Sequence, residues 1–223
     1  RNNRNSNYLK SISKKITILN NNQEIVNKSK FIFLAITPEV GKKIIKRLIF
    51  KKTHTVVSFI STIKFKELKK NINAKCNIVR AIPLPPISLG IGPVPIFPPN
   101  PKIKNFFNKI GKTIEIKDEN LSLSFWTMSS MMAPYYEMLN FLSSWLVKNG
   151  LKKKKAEDYI TSLFLGLSAN ADQNSFKDLK ELVKKSQTPK GLNEQALKQL
   201  KKDHFYKKLN ITSNKILKRL KGK

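Results

Sequence analysis

Residues 31–48 read FIFLAITPEVGKKIIKRL, and the parsing of this stretch decides the fold. Phe31–Ile36 is a continuous apolar run of strand length, the pattern of a parallel strand covered on both faces. Thr37-Pro38 interrupts it, and proline is favoured in the first turn of a helix. Glu39–Leu48 then takes up helical spacing. The same alternation follows downstream: THTVVSFI (residues 53–60) reads as a strand, KFKELKKNI (64–72) as a helix and CNIVRAI (76–82) as a strand. Upstream, ITIL (16–19) predicts a short strand and NQEIVNKS (22–29) a short helix. Strand–helix units of this length predict an α/β fold with a right-handed, mostly parallel sheet.

Further along, residues 82–101 are dense in proline, IPLPPISLGIGPVPIFPPNP. Proline fixes φ and cannot donate to a ladder, so this segment predicts a rigid extended loop with one edge strand around Val94–Phe97. KIKNFFNKIG predicts a helix ended by Gly111, and KTIEI a last strand. Beyond Asp118 the strand pattern stops. A long apolar helix running to Asn149-Gly150, with the glycine suited to a C′ position, opens an all-helical region. Four more helical segments follow: KKKAEDYITSLFLGLSAN, SFKDLKELVKKS, ALKQLKKD and FYKKLNITSNKILKRLKG. The expected domains are therefore 1–117 and 118–223.

Composition narrows the function classes. A 40% hydrophobic chain of 223 residues has enough apolar content for packed domains. One cysteine, Cys76, rules out an internal disulfide, and two histidines, His54 and His204, supply no metal-ligand cluster. This is the composition of a reducing compartment, with the cytoplasm as the expected location. The net charge of +30 raises nucleic acid as a partner. The lysines are spread over nearly every segment, however, and neither zinc-finger spacing nor an RNP-like aromatic motif is present, which argues against specific recognition. Residues 121–147 are long enough to span a bilayer but contain Glu137, Asn140 and Pro134, with both tryptophans inside the run. A buried helix or helix pair at a subunit interface fits better than a membrane segment. The chain opens on Arg1 and a polar RNNRN run without a targeting signal, and it is expected to start part-way through a larger product.

Open α/β sheets bind ligands at the carboxyl ends of their strands. Here those ends include Thr37-Pro38, Ser58–Ser61 and Ala81-Ile82-Pro83, with Arg1–Asn5 if a strand precedes them. A dinucleotide fold should open with a glycine-rich turn between a strand and a helix. The Gly90-Ile91-Gly92 pair is followed by prolines instead, so such a turn is expected upstream of Arg1. In that register Arg1 and Arg4 would stand where basic residues hold a ribose 2′-phosphate. A second anion site is suggested by TPKGLNEQALKQLKKDHF (188–205), a helix start with no evident acidic cap. The plain alternative is a surface helix with Thr188 as N-cap and Pro189 at N1.

Four motifs, in order and spacing, resemble the pyrroline-5-carboxylate reductase family over essentially the whole chain. FIFLAITPEV is similar to that family's strand ending in Leu-Ala-Val-Lys-Pro, and IVRAIPLPP to its Val-Arg-x-Met-Pro-Asn-x-Pro loop. TMSSMMAPYY resembles the Ser-Gly-Ser-Gly-Pro-Ala-Tyr start of its first dimerisation helix, and TPKGLNEQ falls where the family has Ser-Pro-Gly-Gly-Thr-Thr. The chain departs from these patterns at Thr37, Leu84, Met131, Ala133, Lys190, Leu192 and Asn193. The resemblance implies a Rossmann-like NAD(P)-binding domain (1–117) lacking its first β–α unit, then a helical dimerisation and substrate domain (118–223). It implies an oxidoreductase that transfers hydride from NADPH (or NADH) to the C=N of 1-pyrroline-5-carboxylate, giving L-proline in a homodimer or higher homo-oligomer. Backbone N–H groups from Lys190, Gly191, Leu192 and Asn193 would hold the substrate carboxylate, with the Asn193 amide on the ring nitrogen. Arg4 and Asn5 would meet the 2′-phosphate and Asn22 the adenosine. Ala35, Ile36, Thr37 and Pro38 would line ribose and phosphates, and Ala81 to Pro83 would approach the nicotinamide. No catalytic side chain is assigned. Three readings remain beside it: reduction of another cyclic imine, a non-catalytic dimerisation scaffold, and a basic nucleic-acid binder.

Overall fold

A computed structural model describes residues 3–173 and 178–222. Arg1, and the expected helix start at Ser175, lie outside the described residues. The chain divides into two compact units that part between Trp126 and Thr127. That point lies inside a helix, Glu119–Ser129, and beyond the end of the strands near residue 117.

The first unit is a five-stranded sheet flanked by helices. In chain order it comprises α1 (Asn3–Ile12), α2 (Asn22–Lys28), β1 (Phe31–Leu34), α3 (Pro38–Ile44), β2 (Thr55–Ser58), α4 (Phe65–Asn71), β3 (Asn77–Ala81), β4 (Pro93–Phe97), α5 (Pro101–Phe107), β5 (Lys112–Glu115) and α6 (Glu119–Ser129). Strand order is β1-β2-β3-β4-β5, parallel throughout except for the β3–β4 pair. The mostly parallel α/β architecture expected from the sequence is the observed one.

Alternation along the central strands sends successive side chains to opposite faces and produces two cores. Val56 and Ile78 join Ile32, Leu34, Ile45, Ile63, Leu68 and Ile72 on one face. Val57, Val79 and Ala81 join Val94, Ile96, Ile103 and Phe107 on the other. Each of these Val, Leu, Ile and Phe side chains contributes about 1.5–3 kcal/mol relative to exposure. Burial on both faces holds for β2 and β3 but not for β1, where Phe31 and Phe33 are exposed. β1 ends the strand order, so only its Ile32–Leu34 face is covered within the unit.

Two further expectations are corrected. Residues 16–19 form no strand: their β-branched side chains have no ladder to join, and the chain turns directly into the cap of α2. Residues 93–97 are not an edge strand but lie between β3 and β5. The prolines are tolerated there because the β3 ladder covers only Arg80↔Phe97 and Ala81↔Ile96. Pro95 O accepts from Ile82 N–H, so the proline nitrogen faces that short side and leaves the β5 ladder intact.

The second unit is helical in its described residues: α7 (Met132–Lys148), α8 (Lys153–Gln173), α9 (Leu179–Lys185), α10 (Leu192–Lys202) and α11 (Phe205–Leu220). The single long helix expected before Gly150 is broken at Ser130–Met131 into α6 and α7. Pro134 then falls in the first turn of α7, where a missing N–H leaves no intrahelical bond unmade. Gly150, at φ 97°, ends α7 as expected. Gly150 N–H bonds to Val147 O and Leu151 N–H to Leu146 O, the paired bonds of a Schellman terminus. No helix among the described residues is long and apolar enough to cross a membrane.

Candidate functional site

The parallel register of β1, β2 and β3 brings their carboxyl ends to one edge of the sheet. Ala35, Ile36, Thr37 and Pro38 follow β1 there, and Ala81 and Pro83 stand at the end of β3. Ala35 and Thr37 are exposed, Ile36 and Pro38 half-buried. Thr37 starts α3 through its backbone alone, its carbonyl accepting from Gly41 N–H at 2.8 Å. A Cβ at Gly41 would lie 2.7 Å from the tip of the Ile60 side chain, in the loop after β2, so a larger residue would make that side chain shift. Ala81 is buried in the core, while Pro83 lines an apolar cavity of about 300 Å³ with Phe33, Phe59, Ile87 and Phe106.

Asn22 opens α2, whose start is a reciprocal cap. Glu24 N–H donates to Asn21 Oδ1 at 2.8 Å, and Asn20 N–H donates to Glu24 Oε2 at 3.3 Å. The Lys28 ammonium, and then the Asn20 N–H, hold the Glu24 carboxyl below the usual carboxylate range. Asn22 lines a cavity of about 420 Å³ with Ser6, Leu9, Thr17, Leu19 and Asn21. Arg4 and Asn5 occupy the first turn of α1 rather than a strand-end loop, and they are exposed outside the lining of that cavity. Asn22 thus meets this ligand-sized space, and Arg4 and Asn5 do not line it.

In the second unit, residues 188–194 form a tight turn leading into α10. Gly191 N–H donates to Thr188 O at 2.8 Å and Lys190 has φ 62°; with Pro189 preceding it, this is the pattern of a type II turn. The N-cap is Gly191, so Thr188 and Pro189 precede the helix rather than start it. Nor is the start uncapped by an acid. Glu194 Oε2 accepts Lys190 N–H at 2.6 Å, and Glu194 pairs with Lys198 at 2.7 Å. Lys198 first, then the Lys190 N–H, hold its carboxyl below the usual range. The Asn193 amide donates to Ser186 O at 2.9 Å. Of the four N–H groups at 190–193, those of Lys190 and Gly191 are bonded within the turn, leaving Leu192 and Asn193 at the open helix end. The terminus itself is exposed, Leu192 most of all. Glu194 was legible in advance, since a Glu at the third helical position is a capping signal.

The family described as pyrroline-5-carboxylate reductase dimerisation matches residues 119–222. The chain resembles that family's dimerisation region over a little under half of its length. Its fold is also that of solved pyrroline-5-carboxylate reductases. The 1-pyrroline-5-carboxylate reductase of Streptococcus pyogenes superposes with a TM-score of 0.83 at 17% identity, over 99% of this chain and 86% of that one. The Plasmodium falciparum pyrroline carboxylate reductase, solved with NADP bound, gives 0.77 at 18% over 92% and 80%. The Coxiella burnetii pyrroline-5-carboxylate reductase gives 0.78 at 19% over 97% and 83%. No curated protein matches the chain by sequence. In the resemblance drawn from the sequence, Lys190, which is at positive φ, stands where the Ser-Pro-Gly-Gly-Thr-Thr pattern has a glycine.

Proposed function

We propose that this chain is an NAD(P)H-dependent reductase of the cytoplasm that reduces the C=N bond of 1-pyrroline-5-carboxylate to L-proline, acting as a homodimer or larger homo-oligomer. The observation that carries the reading is the family match over residues 119–222. The P. falciparum relative with NADP bound supports a nicotinamide cofactor. In this reading residues 1–117 serve the nucleotide and 118–223 serve dimerisation and substrate.

The cavity beside Asn22, at about 420 Å³ and lined by amide, hydroxyl and aliphatic groups, fits a nucleoside in size and chemistry. Ala35 to Pro38 would line ribose and phosphates, and Ala81 to Pro83 would approach the nicotinamide end. Arg4 and Asn5 remain the proposed partners of a 2′-phosphate, which favours NADPH. The bound dinucleotide supplies the hydride. The chain's own work is to bind and orient. N–H groups at the start of α10 hold the substrate carboxylate, aided by the helix dipole and the Lys190 ammonium. The Asn193 amide donates one N–H to Ser186 O, which leaves its Oδ1 and second N–H for the ring nitrogen.

Dimerisation has its own support. Among the described residues of the second unit, Ala156 and Ile160 are the buried hydrophobic ones, whereas Phe141, Trp145, Tyr159, Leu165 and Leu167 are exposed. A helical unit with so little core of its own needs a partner surface.

The test is loss of reduced-nicotinamide absorbance with purified protein and 1-pyrroline-5-carboxylate, with proline identified as product. No oxidation of NADPH or NADH at saturating imine would refute the proposal. Turnover of a different cyclic imine in its place would fit the second reading, favoured by the changed 188–194 loop.

A further inference from the structure

The most costly side chain in the first unit is Arg80, the penultimate residue of β3, which is 1% exposed. Burial pushes its pKa down, and Glu119 opposes that shift. Its guanidinium is bonded on both arms: Nη1 to Glu119 at the start of α6, and Nη2 to Ser61 O at 2.7 Å in the loop after β2. The group also lies 5.1 Å from the Trp126 ring centroid. Glu119 Oε1 accepts a further bond, from Phe65 N–H at 2.6 Å, so it caps α4, for which Lys64 provides no side-chain cap. Phe65 packs edge-on against Phe97, the residue paired with Arg80 across β4.

One buried cation therefore joins the loop after β2, the start of α4, the end of β3 and the start of α6. The loop it bonds, 59–64, and the loop that begins two residues after it, 82–84, emerge at the sheet edge assigned above to the dinucleotide. A planar fork can reach a carbonyl and a carboxylate at fixed angles while stacking on an indole. A lysine in the same place could not hold all three. A buried ion pair is poor value as a source of stability, since apolar residues of similar volume often do as well.

We infer that Arg80 is a positioning residue: with Glu119 as counter-ion, it fixes the loops after β2 and β3 in the spacing that the dinucleotide requires. This rests on the proposed function for the identity of the ligand, but not for the loop geometry.

The test compares wild type with Arg80→Lys, which keeps the charge and loses the fork, and with Glu119→Gln, which keeps the acceptor and loses the charge. Hydrogen exchange on the intact protein should rise about tenfold at residues 61–66 and 81–84 in Arg80→Lys, as expected for loss of one charge-assisted bond. Exchange over 94–107 should stay unchanged. KM for NADPH should rise by a similar factor, with kcat and KM for the imine close to wild type. Glu119→Gln should show the same pattern, weaker. A uniform rise in exchange, or unchanged exchange at both loops, would overturn the inference and leave Arg80 as an ordinary buried ion pair. Loop-local exchange with an unmoved KM for NADPH would also overturn it. A wild-type protein that oxidises no dinucleotide would refute the function instead, and the exchange pattern would still decide whether Arg80 holds the loops.

Discussion

Lys190 and Gly191 are adjacent, yet glycine exchanges at the two positions should have opposite effects. Lys190 is at φ 62°, a left-handed conformation that costs a side-chain-bearing residue roughly 1–2 kcal/mol. Lys190→Gly removes that strain but gives the unfolded chain more freedom, taking back roughly 0.5–1 kcal/mol. The bonds made by its backbone survive, since Glu194 accepts the N–H and Gln195 Nε2 donates to the carbonyl. The net gain should be about 0.5–1 kcal/mol, a rise in Tm of about 1–4 °C for a chain of this size. Gly191, at φ −75°, could take any side chain as far as its backbone is concerned. A Cβ there would stand 2.9 Å from Thr188 O and overlap Thr188 Oγ1, so Gly191→Ala must open the turn. About 1–3 kcal/mol of destabilisation is expected from such overpacking. Thermal unfolding followed by circular dichroism, with hydrogen exchange at 187–195 to localise the effect, reads both variants. Should Lys190→Gly destabilise by more than about 0.5 kcal/mol, or Gly191→Ala prove neutral, the turn described here is wrong.

Of three other expectations, the first shares that turn through Glu194 and the other two concern the first unit. Glu194→Gln removes a carboxylate from the mouth of the α10 terminus, and KM for the imino-acid substrate should fall about two- to fivefold in steady-state assays. His54 is buried with Nδ1 accepting Lys51 N–H at 3.0 Å, and its pKa lies below 6.5 through burial and then Lys51. A depressed histidine stabilises the fold above its unfolded pKa and loses that contribution as pH falls. The urea midpoint should therefore drop from about pH 7 to about pH 5.5, and less so in His54→Gln. Asn100 caps α5 by accepting Ile103 N–H at 3.1 Å, so Asn100→Ala should cost about 1 kcal/mol in denaturant unfolding.

The fold was legible because the signals that define it are local. Apolar runs at 53–60 and 76–82 with amphipathic segments between them leave little choice but parallel strands. Local signals mislead where the outcome depends on a neighbouring strand. Ile16–Leu19 has strand composition but no strand beside it, and Phe31 and Phe33 belong to a run that looks buried yet lies on the end strand. Pro93 and Pro95 argue for an edge until the two-pair ladder to β3 is known. The site was less legible still. That Asn193 would spend its amide on Ser186 O, seven residues back, is a consequence of how the 188–191 turn closes, and no spacing rule reveals it. Arg80 is legible only as part of a loop motif, since a lone arginine in a strand gives no sign that Ser61 and Glu119 will converge on it.

The strain at Lys190 also bears on function. A lysine retained in a conformation that glycine adopts freely calls for a return elsewhere. At the start of α10 the local charges are Lys190 and Lys198 against Glu194, whose carboxylate is drawn to Lys198 at 2.7 Å. Without Lys190, Glu194 would cancel Lys198, and the two remaining N–H groups would face an arriving carboxylate with the helix dipole alone. With it, the terminus is net positive and the acid beside it is offset. Lys190→Gly should then do two opposite things in one protein: raise its melting temperature, and raise KM for the imino acid about two- to fivefold, the size of one surface charge at a helix end. Raising ionic strength should shrink the difference in KM between wild type and variant, because an exposed charge is screened, while leaving the gain in melting temperature, which comes from backbone strain. A variant that is more stable but binds substrate as well as wild type at low salt would show that the lysine has no part in holding the carboxylate.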